Sequence, residues 1–142
     1  MQITRYGSVD DVGRCINPLI VHGQTHGAIA QGVGQAVSEQ IYCDPDSGQP
    51  LTGSLMDYAM PRADTLPAFA VEIAEVLSPT NPLGIKAGGE GGTTAAPAVV
   101  ISAILDALRP LGVREIAMPA TPYAIWSAIQ KAKESSPHAG EE

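Results

Sequence analysis

Aromatic side chains make up only 4% of the 142 residues, so a core has to be filled by Val, Ile, Leu and Ala. Cysteine is nearly absent. Cys15 and Cys43 stand far apart without CxxC or Cys/His spacing, which argues against a disulfide framework or a zinc site and fits two reduced thiols in a cytoplasmic protein. Basic residues are few: 8 Lys and Arg face 15 Asp and Glu, for a net charge of −7, and no basic stripe is available for nucleic acid. There is no uninterrupted apolar run of about 18 residues, so no membrane span is expected. The N-terminus, MQITRYGSVDD, lacks the apolar segment of a signal peptide. Walker, GxSxG and HExxH patterns are missing as well.

What is present in quantity is special backbone. Gly (15) and Pro (12) are spread through a chain that is not low-complexity, so they mark turns, caps and close backbone approaches. The densest cluster is Asn81–Pro97, NPLGIKAGGEGGTTAAP, where five glycines surround a single acid, Glu90. An apolar run from Ala96 to Leu108 follows and reads as a helix buried nearly all round, with Thr93 or Thr94 as its N-cap and Pro97 in its first turn. A carboxylate at a helix start is favoured in its charged form. Flanking glycines leave room for a bulky group to approach, so Glu90 is a candidate base or a solvated helix-start acid. Lys86 is placed to pair with Glu90 or with an anionic ligand.

The remaining segments are read in order. Ile3–Val9 alternates weakly and predicts a strand; its edge calls for a partner from another chain, because no strand precedes it. Asp10–Pro18 is a turn. Ile20–Tyr42 has helical apolar spacing through Ile29, Val33, Ala36, Val37 and Ile41, with Gln24, Gln31, Gln35 and Ser38 on the other face. Gly23, Gly27, Gly32 and Gly34 lie inside it, each costing about 1 kcal/mol against Ala. That cost is explained by close packing of another element, or by a ligand against the glycine face. His22 and His26 have the spacing of a metal pair but no third ligand, so no protein metal ligation is expected. Asp44 and Asp46 lack the rest of a calcium-loop pattern and sit in the turn of a hairpin spanning Ile41–Leu51. Thr52–Pro67 predicts an ordered loop packed on the protein. Phe69–Leu77 alternates as a strand, Val113–Met118 reads as a short strand, and Pro122 to about Lys133 as a helix capped by Thr121, with Trp126 and Ile129 on its apolar face. The fold class expected is α+β: short mixed strands with about three helices in one domain, residues 1–134, and a disordered acidic tail, 135–142.

The runs DVGRCINPLIVHGQTHGAIAQGVGQAVSEQIYCDPDSGQPLTGSLMDYAMPRAD, SPTNPLGIKAGGEGGTTAAPAVVISAILDAL and MPATPYAIWSAI together resemble the C-terminal part of the molybdenum-binding large subunit of the xanthine dehydrogenase, aldehyde oxidoreductase and carbon monoxide dehydrogenase family. The resemblance spans roughly residues 8–131. It implies a partial molybdopterin-binding domain of the aldehyde oxidoreductase type. It also implies Glu90 as the base in hydroxylation of an electrophilic C–H carbon with water-derived oxygen. Gln24, Gly27, Gln31, Gly32, Gly34, Lys86, Gly88 and Gly89 are the positions it assigns to the cofactor. That cofactor is molybdopterin with molybdenum, in its cytosine dinucleotide form, and its dithiolene rather than a side chain holds the metal. Iron–sulfur clusters and FAD are expected on partner subunits, and a small molecule is the expected substrate. Two positions depart from the family pattern: Ala28 and Ala87 stand where glycine is usual, adding a methyl near the expected cofactor. Because the family's large subunits are several times longer, the expectation is a chain that works with the remainder of the large subunit as a separate chain. The alternative is a non-catalytic piece acting as a structural or partner-binding module.

Overall fold

The computed structural model describes residues 1–135. Most of the expected acidic tail, residues 136–142, lies outside the described residues. The chain forms β1 (Tyr6–Asp10), α1 (Pro18–Val37), β2 (Phe69–Ile73), α2 (Gly91–Leu108) and α3 (Pro122–Glu134), with short 3₁₀ turns at Ala63–Thr65 and Arg109–Leu111. Three helices and a two-stranded sheet make this the α+β architecture expected from sequence. The described residues group into two compact units, one of residues 1–33 and 61–96, the other of 34–60 and the described residues from 97 on.

In the first unit β1 and β2 pair in parallel, Tyr6 opposite Phe69 through Asp10 opposite Ile73. The strand expected over Ile3–Val9 therefore starts later, and its partner is supplied by this chain. Parallel strands need a long crossover, and α1 lies on it. Ring contacts tie helix to sheet: Tyr6 meets Phe69 edge-on at 5.6 Å between centroids, and His26 of α1 meets the same Phe69 at 5.6 Å. His26 is thus a packing residue. Asn17 opens α1, its Oδ1 accepting from the Ile20 amide at 3.2 Å, and Pro18 takes the first-turn place where its missing N–H costs nothing. After β1 the chain turns at Gly13, which has φ +62°; a Cβ there would lie 2.1 Å from the Gly84 carbonyl oxygen. Only glycine fits. The Arg14 amide donates to Gly84 O at 3.0 Å and the Lys86 amide to Val12 O at 2.9 Å, so residues 84–86 are fixed against the end of β1.

The buried apolar side chains are Val12, Ala28, Ile29, Val33 and Ala96 in this unit, and Ala36, Val100, Ile104, Val113 and Ala120 in the other. Val, Ile and Ala fill both; no Leu is among the described buried residues.

In the second unit α1 ends at Val37, short of Tyr42, with the Gly34 carbonyl accepting from the Ser38 and Glu39 amides at 2.9 and 2.8 Å. The hairpin after it reduces to a single bridge between Cys43 and Pro50, its turn held by Asp44 Oδ1 accepting from the Ser47 amide and hydroxyl. Leu55, Met56 and Met60 of the following loop are exposed, so the loop is ordered without being packed as expected. Val113–Met118, expected as a strand, carries no regular secondary structure, and a cis Met118–Pro119 bond follows. Thr121 caps α3 as predicted, its Oγ1 accepting from the Ala124 amide at 3.2 Å. Trp126, expected on the apolar face, is 56% exposed.

The largest correction concerns α2. It begins at Gly91, not Ala96, so Thr93, Thr94 and Pro97 are interior and Glu90 is the residue that precedes the helix. Nor is it buried all round. Gly92, Ala96, Val100 and Ile104 form one buried line at i, i+4 spacing, while Val99 is 52% exposed. By length and composition Gly91–Leu111 is apolar enough to cross a membrane, so the expectation of no span does not follow from hydropathy.

Candidate functional site

Of the residues singled out in the sequence, Gln24, Gln31, Gly89 and Glu90 lie together at the start of α2. There α1 and α2 meet along a short seam in which each contact answers to one turn of helix. Gln24, Ala28 and Gln31 follow one another at i, i+4 and i+7 on α1, so they share a face. The Gln24 amide Nε2 donates to the Gly89 carbonyl at 2.7 Å. One turn on, the backbone of Gly92 lies against α1: a Cβ built on it would come 2.9 Å from both Ala28 Cβ and Ile29 N, and 3.0 Å from Thr25 O. One further step along, Thr93 Oγ1 donates to the Ala28 carbonyl at 3.0 Å and reaches Gln31 Oε1 at 3.3 Å.

This seam explains the small residues. Gly92 removes the side chain that would push the helices apart, and Ala28 fills the space its missing Cβ leaves. The extra methyl of Ala28 therefore points into the protein, where it is 5% exposed, and not toward a cofactor. Thr93 is a tie between helices rather than a cap, and Thr94 donates through both its amide and its hydroxyl to the Glu90 carbonyl at 2.9 Å. Gly92, Thr93 and Thr25 were not among the expected site residues. The signal that could have found them is the second glycine of Gly91–Gly92 facing the small pair Thr25 and Ala28.

The turn ahead of Glu90 is held on its other side. Gly88 sits where a Cβ would strike Val12 Cγ1 at 2.6 Å. Asn81 bridges the base of the turn, giving its amide to Ile85 O at 3.0 Å and accepting from Ile85 N at 3.1 Å. Lys86 Nζ pairs with Asp11, not with Glu90. That hydrogen bond, then the amide of Gly13 and that of Val76, hold the Asp11 carboxyl below its ordinary range. Asp11 had no distinguishing signal in the sequence. Burial and the neighbouring Asp10 charge push the Tyr6 hydroxyl up.

Glu90 itself is exposed and, among the described residues, forms no ion pair. It stands where the first amides of α2 lack intrahelical partners and carry the positive end of the helix dipole. On α1, Gly23 and Gly27 at i, i+4 form a strip of bare backbone, and Gly89 in the turn is open as well: at each an added Cβ would meet nothing within 4 Å. Among the described residues no other element packs against Gly23 or Gly27. Gln24 and Gln31 border this strip, both exposed. Gly32 and Gly34 are buried and lie off it. A neighbouring open cleft of about 350 Å³ is lined by Gln24, Lys86 and Gly88 together with Val12, Arg14 and Ile20. Among the described residues no three His, Cys, Asp or Glu gather as a metal set.

Bare glycine backbone, two carboxamides with donor and acceptor atoms, and unpartnered helix-start amides suit a flat, hydrogen-bonding, anionic group. That is the chemistry of a pterin with a phosphate, so the residues present fit molybdopterin. Comparison with known proteins agrees. Residues 1–67 match the family described as "Molybdopterin cofactor-binding domain". The gamma subunit of the 6-hydroxypseudooxynicotine dehydrogenase complex of Paenarthrobacter nicotinovorans is 43% identical over 91% of this chain. The carbon monoxide dehydrogenase large chain of Hydrogenophaga pseudoflava is 32% identical over 92% of it. Among solved structures, quinoline 2-oxidoreductase from Pseudomonas putida 86 superposes with a TM-score of 0.87 at 42% identity, covering 92% of this chain. The chain spans only 16% of the length of each of these three proteins. Over that span the fold coincides with that of quinoline 2-oxidoreductase, and the chain belongs to the family of molybdenum-binding large subunits of the xanthine dehydrogenase, aldehyde oxidoreductase and carbon monoxide dehydrogenase type.

Proposed function

We propose that this chain is the C-terminal, cofactor-contacting portion of a molybdenum hydroxylase, and that Glu90 is its general base. The observation that carries the reading is the position of Glu90: exposed, at the start of α2, one residue beyond a turn tied by Gln24 to the glycine strip of α1. Gly27 leaves the backbone open to a flat ring, Gln31 and the free Oε1 of Gln24 offer hydrogen bonds to it, and the first amides of α2 favour a phosphate. When bound, molybdopterin with its molybdenum supplies the two-electron redox chemistry. The residues of this chain orient that group and take up a proton. Glu90, at the helix start, accepts it from the attacking hydroxyl at a carboxylate oxygen. Gly89 keeps the approach to that oxygen clear.

The cytosine dinucleotide form of the cofactor belongs to this proposal, as does an aldehyde or N-heterocycle as substrate. The names of the relatives support the second, since they include a 6-hydroxypseudooxynicotine dehydrogenase, a nicotine 6-hydroxylase and a quinoline 2-oxidoreductase. The remainder of the large subunit completes the enclosure of the cofactor, and iron–sulfur and flavin subunits complete the electron path. Copurification from the native cell tests the reading. The expected complex contains molybdenum, the remainder of the large subunit and an iron–sulfur subunit. A monomeric, metal-free chain without partners would overturn it.

A further inference from the structure

Glu90 sits on a turn that glycine leaves unusually free. Gly88 is blocked by Val12, and Gly92 is locked against α1. Between them Gly89 has open space around it, and its carbonyl accepts no backbone hydrogen bond among the described residues. A glycine so placed can rotate its peptide plane at little steric cost, and the plane joining Gly89 to Glu90 sets where the Glu90 side chain points. One contact holds that plane: Gln24 Nε2 to the Gly89 carbonyl oxygen, 2.7 Å.

We propose that Gln24 is a positioning residue for Glu90, acting through the Gly89 carbonyl, in addition to any contact its Oε1 makes with the cofactor. The inference rests on Glu90 being the base. Gln24 comes from the same helix as the glycine strip, so one side chain links the surface that orients the cofactor to the turn that carries the carboxylate. A group moved by about 1 Å loses on the order of a hundredfold in rate, which is the scale on which such a tie matters.

Two measurements are needed, on Gln24→Leu, which removes the donor, and Gln24→Lys, which keeps one of similar reach. In the full 142-residue chain, amide hydrogen exchange at Gly89 to Gly91 is followed by NMR. In the assembled complex, kcat and KM are measured per bound molybdenum. The expected result is exchange about tenfold faster for Gln24→Leu with α3 unchanged. With it, kcat per molybdenum falls by about ten- to a hundredfold at constant KM. Gln24→Lys recovers part of both. Unchanged exchange, or unchanged kcat per molybdenum with loss confined to metal content, overturns the proposal and leaves Gln24 a cofactor contact. Failure of the underlying reading is seen separately: Glu90→Gln then retains turnover, whatever Gln24 does to exchange at Gly89.

Discussion

The Cα of Gly92 is held so close to α1 that a methyl on it would lie 2.9 Å from the backbone nitrogen of Ile29. A backbone neighbour cannot swing aside as a side chain can. Gly92→Ala therefore forces the start of α2 away from α1, and overpacking of this kind costs about 1–3 kcal/mol. Urea unfolding of the variant is expected to show that loss, together with loosening of the Thr93–Ala28 tie in NMR spectra.

Gly27 gives the opposite result for the same chemical change. Its missing Cβ faces open space, and Ala is the better helix former by about 1 kcal/mol. Gly27→Ala is expected to stabilise the chain by up to about that amount. In the assembled complex it is expected to lower molybdenum content, because the methyl stands on the strip assigned to the cofactor. A gain in stability with full molybdenum content would remove Gly27 from the cofactor surface.

The Asp11–Lys86 pair makes stability depend on pH. The folded state holds the Asp11 carboxyl below its ordinary value, chiefly through the Lys86 hydrogen bond. A carboxyl depressed on folding contributes stability that is present above its unfolded pKa, about 3.9. That contribution is lost as pH falls through the lower folded value. Asp11→Asn is expected to be less stable than the parent at neutral pH, and the gap is expected to close below about pH 4. Lys86→Met is expected to raise the Asp11 pKa toward its ordinary value, as read by NMR titration.

Thr121 closes the N-terminus of α3 through its hydroxyl oxygen. Thr121→Ala is expected to cost about 1 kcal/mol, measured by thermal unfolding. Gly is expected to be milder than Ala at this position, because it retains the capping backbone geometry.

Much of this was legible in the sequence where the signal is local. Alternation marked β2, Pro122 after Thr121 marked the start of α3, and the periodic apolar residues marked α1. What escaped was tertiary in origin. Two glycines and two threonines predict a loop, yet Gly91–Thr94 is helical because Gly92 and Thr93 are held by α1. The β1 partner lies some 60 residues away in sequence, so no local pattern could assign it. Val113–Met118 has strand composition but forms no strand. Of the proposed site, Glu90 and the Gln24–Gln31 face stood out from residue types and from family resemblance. The hydrogen bond that joins Gln24 to the Glu90 turn depends on geometry that no spacing rule contains.

The central claim is that Glu90 serves as the base and not as a structural helix-start acid. Glu90→Gln keeps the size, the helix-start place and the backbone contacts to Thr94, while removing the proton acceptor. Turnover and molybdenum content of the purified complex, measured side by side for parent and variant, decide the matter. The expected result is loss of turnover by at least about a hundredfold with molybdenum content unchanged. Turnover retained, or activity and molybdenum lost in equal proportion, would contradict it.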